Sequence, residues 1–312
     1  MFINEIVSYV PETSMDIATD HDKLSLSSKE AKVYTKLYGF SSCPTFDGNI
    51  IDLLRGSLDK FFLDKDQEFI DNIKILVYIH TGATVSGINT VIPNEIKRIY
   101  KISNAICFGS STNNCVGIFY AINLCNEYLK NFPNNSKALI ITGEISNITD
   151  MKVIHNIAIS GDASTALILS KEQLGFRIKF TETKCYSQYY AGIWIDPNSE
   201  LQKDFENNYQ ERITDIINSS LLKHELTIKD IDYINPHNVN IWVWKNTAKR
   251  LNIDISKIFL NNINKTAHCF SSDMLLNLDS MKKQELLKEN STILMVTAGV
   301  GGFFGTSLLQ VV

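Results

Sequence analysis

Short apolar runs alternate with helix-length segments along most of this chain. IKILVYIH (73–80), KALIITG (137–143), STALILS (164–170), DYINPH (232–237), STILMVTAG (291–299) and TSLLQVV (306–312) are short and bounded by Gly, Asn or Pro. Runs of this kind predict strands buried on both faces. Between them, 55–71, 115–131, 205–224, 239–252 and 272–289 have the length and spacing of helices. Strands that alternate with helices predict an α/β fold.

One arrangement occurs twice. KALIITGEIS followed by GDASTALILS resembles STILMVTAG followed by GTSLLQVV: strand, turn, glycine, small residues, strand. The echo predicts two similar halves, 1–170 and 171–312, divided near the polar segment 171–190. No low-complexity linker separates them, so they are expected to pack as one unit.

Composition removes several function classes. The chain has 312 residues, 44% of them hydrophobic and 21% charged, with a net charge of −4. That balance offers no basic surface to nucleic acid as the main partner. The opening MFINEIVSYVPETSMD has no basic n-region, and no run approaches the ~18 apolar residues of a membrane span. A soluble cytoplasmic protein is expected. The cysteines at 43, 107, 115, 125, 185 and 269 form no C-x-x-C pair, so thiols are expected and a metal site is not.

One cysteine has a distinctive setting. In SSTNNCVGIFYAINLC (110–125) the chain is small and polar before Cys115, then apolar with Phe119, Ile122, Cys125 and Leu129 on one helical face. Asn113 and Asn114 are candidate caps. A helix N-terminus favours thiolate over thiol, and its N–H groups can hold an oxyanion. A small buried core residue is the alternative reading of any such cysteine. Three loops after C-terminal strands supply possible partners. INPHNVN (234–240) carries His237, NKTAHCFSSD (264–273) carries His268 and Asp273, and GVGGFFG (299–305) is glycine-rich. The last is no dinucleotide fingerprint, because it lacks G-x-G-x-x-G spacing and leads into a strand.

Together these segments resemble the type III ketoacyl-(acyl carrier protein) synthases of the thiolase superfamily, in order and over nearly the whole chain. The family's C-x-G-F-type segment reads Cys115-Val116-Gly117-Ile118-Phe119. Its P-H-x-x-N motif reads Pro236-His237-Asn238-Val239-Asn240, its G-D-x-A segment Gly161-Asp162-Ala163-Ser164, and its glycine-rich end Gly299 to Gly305. The resemblance implies a thiolase-like five-layer αβαβα fold of two related halves, usually a homodimer. It also implies a ping-pong mechanism in which Cys115 accepts an acyl group from a thioester, with no further cofactor. Asn238 and Asn240 would be supporting residues. The oxyanion hole would be the backbone N–H groups of Cys115 and Gly301.

The sequence departs from that family at one position. Decarboxylative members carry an asparagine in a G-N-T-S-type loop, where this chain has Ala267-His268-Cys269. The context HCFSSDMLLNLD, with P-H-N-V-N, resembles a subgroup of acyltransferases from secondary metabolism. Decarboxylation needs neutral donors at a developing enolate, whereas transfer to a hydroxyl or amine needs a base. His268 oriented by Asp273 suits a base, and Asp273 as a helix N-terminal carboxylate is the alternative. His237 would be the base instead, or a donor to the substrate carbonyl. The expected activity is acyl transfer to oxygen or nitrogen; the alternatives are decarboxylative condensation and a non-catalytic partner subunit.

The donor is expected to be a thioester of acyl carrier protein or of coenzyme A. Members that use coenzyme A often have a tryptophan and an arginine early in the chain, and SSKEAKVYTKLYGF (27–40) has neither. This leans toward an acyl carrier protein, which Lys245, Lys249 and Arg250 would meet. A solvated helix face is the other reading of that cluster. Pocket walls are expected from 80–90 and 185–200, where TGATVSGIN and QYYAGIWIDP carry small and aromatic residues.

Overall fold

The computed structural model describes residues 1–82, 91–146, 149–154 and 156–312. Nine strands form its main sheet: β1 Phe2–Tyr9, β2 Ile73–Ile79, β3 Ile106–Ser110, β4 Lys137–Glu144 and β5 Ala163–Ser170, followed by β6 Phe176–Cys185, β7 Tyr233–Pro236, β8 Thr292–Gly299 and β9 Phe303–Val311. Their spatial order is β7-β8-β9-β6-β1-β5-β4-β2-β3. The segments that echo in sequence are equivalent in space. β4 pairs antiparallel with β5, and β8 antiparallel with β9. Outside each pair runs a parallel neighbour, β2 beside β4 and β7 beside β8. The two half-sheets meet where β1 pairs with β6 through Phe2↔Arg177 and Ile3↔Phe176.

Side-chain alternation along these strands creates three large apolar cores among the described residues and therefore five layers. Leu76, Tyr78, Leu139 and Ile141 face helices α1 Ile50–Phe62 and α2 Ile92–Ile99 on one outer side. Their sequence neighbours Ile75, Val77, Ala138 and Ile140 face the other way, onto helices α3 Gly117–Leu129 and α6 Asp273–Lys283. Ile293 and Met295 of β8 cover the far side of that same helical layer. Leu294 and Val296 point outward to helices α4 Glu200–Lys223 and α5 Ile241–Leu251. The order is helix, sheet, helix, sheet, helix. The expected αβαβα fold is present, with α3 and α6 sandwiched between the half-sheets.

Several boundaries differ from the sequence reading. The segment 55–71 is two helices, α1 and a short turn of helix at Gln67–Asp71, each started by its own cap: Asn49 accepts from Asp52 N and Asp66 from Phe69 N. The helix expected at 205–224 starts at Glu200, where Ser199 accepts from Gln202 N. The helix expected at 272–289 ends at Lys283. β1, β3 and β6 were not among the expected strands. β6 lies inside the polar divider 171–190, and its outer end carries Glu182, which pairs with exposed Lys223 rather than entering a core. Among the described residues, no helix is long and apolar enough to cross a membrane.

Candidate active site

Cys115 sits in a single 3-10 turn, Asn114–Val116, that runs directly into α3. It is 4% exposed. The capping expected of Asn113 and Asn114 is not made. Asn114 instead takes φ +49°, donates from Nδ2 to the Val300 carbonyl at 2.6 Å and accepts from Ser271 Oγ at 3.2 Å. The turn bearing Cys115 is thus tied to the glycine loop on one side and to the loop bearing His268 on the other. The glycine loop reverses the chain between β8 and β9, with Gly301 at φ +86°, a conformation that penalises any side chain.

The backbone of His268 is held by a parallel bridge to Ser160. Its N–H donates to the Ile159 carbonyl at 2.9 Å, and its carbonyl accepts from Gly161 N at 3.0 Å. A Cβ on Gly161 would lie 2.1 Å from the Thr266 carbonyl oxygen, so only glycine permits this approach. The adjoining Asp162 accepts from Phe46 N and Ser146 N, each at 2.8 Å, and fixes that segment from behind.

The side chains of His268, Asp273 and Cys115 form a line. His268 Nε2 is 3.5 Å from Cys115 Sγ, and its Nδ1 is 2.5 Å from Asp273 Oδ2. Asp273 opens α6, and it also accepts from Cys269 N and Asn238 N, both at 2.6 Å. The two readings of Asp273 are therefore both realised, as helix-start carboxylate and as partner of His268. Burial alone would push the His268 imidazole down. Asp273, followed by Cys115, outweighs burial and holds its pKa well above the ordinary value.

His237 is placed differently from the expectation. It follows β7, and its Nε2 lies 3.1 Å from the hydroxyl of Tyr209, a residue of α4. Its ring centroid is 6.0 Å from that of His268. Burial, reinforced by the charge of His268, pushes its pKa down to about 3, so it stays neutral and is a poor base. Asn238 and Asn240 hold the surrounding loops. Asn238 Oδ1 accepts from Asn277 at 2.9 Å, and Asn240 caps α5 by accepting from Val243 N at 2.9 Å.

A cavity of about 420 Å³ reaches Cys115 and His268. Its walls include Thr81 and Gly82, the glycine loop through Gly301, and Tyr190 to Trp194. The wall expected from 80–90 is therefore seen in part; 83–90 lie outside the described residues. Tyr209 faces the cavity, whereas His237 is not among its lining residues. Lys245, Lys249 and Arg250 lie on the exposed face of α5 and do not line it either.

Two residues at the site escaped the sequence reading. Tyr209 follows Phe205 by four positions on the inward side of α4, which is a signal of the right period in an otherwise polar stretch. Glu144 ends β4, is buried, and accepts from the backbone N–H groups of Thr81 and Gly82. Burial raises its pKa, only partly offset by those donors and by His268, to about 7.

Comparison with known proteins gives the family. Residues 111–187 match 3-oxoacyl-[acyl-carrier-protein (ACP)] synthase III, and residues 221–311 match the C-terminal part of the same synthase. The chain belongs to the ketoacyl-(acyl carrier protein) synthase III family of the thiolase superfamily. A beta-ketoacyl-[acyl-carrier-protein] synthase III of Wolbachia pipientis wMel is 24% identical over 278 residues, 85% of each chain. Among solved structures, the acyltransferase ChlB3 superposes with TM-score 0.84 at 15% identity, covering 100% of this chain and 97% of its own. The 3-oxoacyl-[acyl-carrier-protein] synthase III of Aquifex aeolicus VF5 gives TM-score 0.80 at 15% identity and 99% coverage of both chains. At these identities the structural likeness speaks for the fold. Membership of the family makes the protein an enzyme of the thiolase superfamily.

Proposed function

We propose that this enzyme transfers an acyl group from a thioester to a hydroxyl or amine acceptor through an acyl-Cys115 intermediate. The observation that carries the reading is the His268–Asp273 pair set against Cys115 Sγ. A carboxylate-backed imidazole can remove and return a proton, which a neutral amide at the same place cannot do.

In the first half-reaction the Cys115 thiolate attacks the thioester carbonyl and a new C–S bond forms. The oxyanion is held by the N–H groups of Cys115 and Gly301. Collapse breaks the donor's C–S bond, and the leaving thiolate takes the proton of His268. Acylated Cys115 no longer carries negative charge, so His268 loses one of the two partners that raised its pKa. The neutral imidazole then accepts the acceptor's O–H or N–H proton as that atom attacks the acyl carbon. Expulsion of the Cys115 thiolate restores the resting pair.

The donor fits an acyl carrier protein. The family's relatives are named for that partner, residues 27–40 lack tryptophan and arginine, and Lys245, Lys249 and Arg250 are exposed for an acidic surface. Decarboxylative condensation with a malonyl thioester is the second reading, favoured by those same relatives' names.

The test is intact-protein mass spectrometry after mixing with acyl-carrier and acyl-coenzyme A thioesters, beside Cys115→Ala, followed by a panel of alcohols and amines. An acyl adduct absent from Cys115→Ala and discharged as ester or amide, without carbon dioxide, supports the reading. Discharge only with malonyl thioesters, giving carbon–carbon products, overturns it.

A further inference from the structure

Tyr209 stands between His237 and the cavity. Its hydroxyl is 3.1 Å from His237 Nε2, it lines the same hollow as Cys115 and His268, and His237 itself does not. The phenol is well fixed. Its ring packs against Phe205 and Phe304 at centroid distances of 5.6 Å and 6.0 Å, and the next residue, Gln210, ties α4 to the Val243 carbonyl at 3.1 Å. Burial, with the neighbouring Cys115, raises its pKa, so it remains a neutral phenol.

Decarboxylation of a malonyl thioester breaks the bond to the carboxylate carbon, and carbon dioxide leaves. The electron pair passes into the thioester carbonyl, whose oxygen becomes an enolate needing converging hydrogen-bond donors. His237 has none to offer. Its Nδ1 is buried without a hydrogen-bond partner, and with the ring proton there Nε2 accepts the phenol proton. With the proton on Nε2 instead, that proton would be spent on the phenol oxygen. In both cases a substrate oxygen reaches Nε2 only by displacing Tyr209.

We propose that Tyr209 determines reaction specificity by withdrawing His237 from the substrate, which commits the cavity to acyl transfer without decarboxylation. The proposal rests on the acyl-transfer reading above and assigns its selectivity to one side chain.

The experiment measures carbon dioxide release from a carboxyl-labelled malonyl thioester by the wild type, Tyr209→Ala, Tyr209→Leu and Tyr209→Ala/His237→Ala. Acylation of Cys115, followed by intact mass, reports on each variant's folding. The expected result is background release by the wild type, at least a tenfold gain in Tyr209→Ala, and return to background in the double variant. If Tyr209→Ala does not fold, Tyr209→Leu, which keeps most of the volume without the hydroxyl, carries the same expectation. Background release by a variant that still acylates overturns the role of Tyr209 and leaves the acyl-transfer reading standing. Release by the wild type together with a carbon–carbon product overturns both.

Discussion

Asp273 Oδ2 lies 2.5 Å from His268 Nδ1, and the two residues are five positions apart on one short loop. Both are buried, so the pair interacts with little screening by water. Asp273 also closes the loop on itself by accepting from Cys269 N, and it ties that loop to the one after β7 through Asn238 N. One carboxylate therefore sets the charge, the ring orientation and the loop geometry.

Asp273→Asn removes the charge and keeps the shape. The expected loss in acyl transfer is roughly 10²- to 10⁴-fold, the range typical of a displaced general base. Since Asp273 raises the pKa of His268, its loss moves the rising limb of the discharge pH profile to lower pH, with a lower plateau. Single-turnover discharge of acyl-Cys115 across pH checks both. An unshifted limb would mean that another group is the base.

Gly161→Ala tests the clamp behind His268. The added Cβ meets the Thr266 carbonyl oxygen at 2.1 Å, and backbone on both sides must shift. Displacement of the imidazole by about 1 Å is expected to lower acyl transfer roughly 10²-fold. Alkylation of Cys115, whose thiolate is paired with His268, should slow as well, while a cooperative urea transition shows that the variant still folds. Loss of that transition would point to general unfolding instead.

Much of this site can be read in the sequence because its chemistry falls at strand ends and helix starts, which local patterning marks. Cys115 and Asp273 stand at helix starts; His268, expected after a strand, instead follows the short helix Ile263–Thr266, and the three meet in space. Tyr209 carries no such mark, and the strand end that holds Glu144 does not by itself name its partners. Tyr209 reaches His237 across 28 positions, and Glu144 closes on Thr81 and Gly82 across more than 60. Only the packing of α4 on one sheet and the parallel pairing of β2 with β4 bring those partners together. β6 was missed for a related reason: its strand identity comes from pairing with β9, while its polar outer half reads as a loop. The cap expected at Asn114 failed because its side chain is taken by Val300, 186 positions away.

Glu144 gives stability a measurable pH dependence. Its folded pKa is raised to about 7 from an ordinary 4.5. Below pH 4.5 both folded and unfolded states hold the proton, and no penalty applies. Between 4.5 and 7 the unfolded state ionises while the folded state does not, so stability falls, by about 3 kcal/mol over the window. Above pH 7 the difference is constant. Subtracting urea-unfolding free energies of Glu144→Gln from those of the wild type should reveal this slope, flat on either side. Parallel curves would show that Glu144 ionises normally.

Ala267, immediately before His268, takes φ +54° and ψ −151°, a region that glycine adopts freely and alanine does not. The strain costs roughly 1–3 kcal/mol. Replacing Ala267 by glycine relieves it, against a loss of about 0.8 kcal/mol for the buried methyl and about 0.5–1 kcal/mol for backbone entropy. The balance is near zero or slightly stabilising. Ala166, equally buried in β5 and not among the positive-φ residues, has no strain to relieve. Ala166→Gly should therefore cost the full 1–2 kcal/mol. Urea unfolding of both variants decides the matter. A loss at Ala267 as large as that at Ala166 would show that the backbone beside His268 is relaxed. A neutral result would place the strain of this loop at the residue that aims the imidazole.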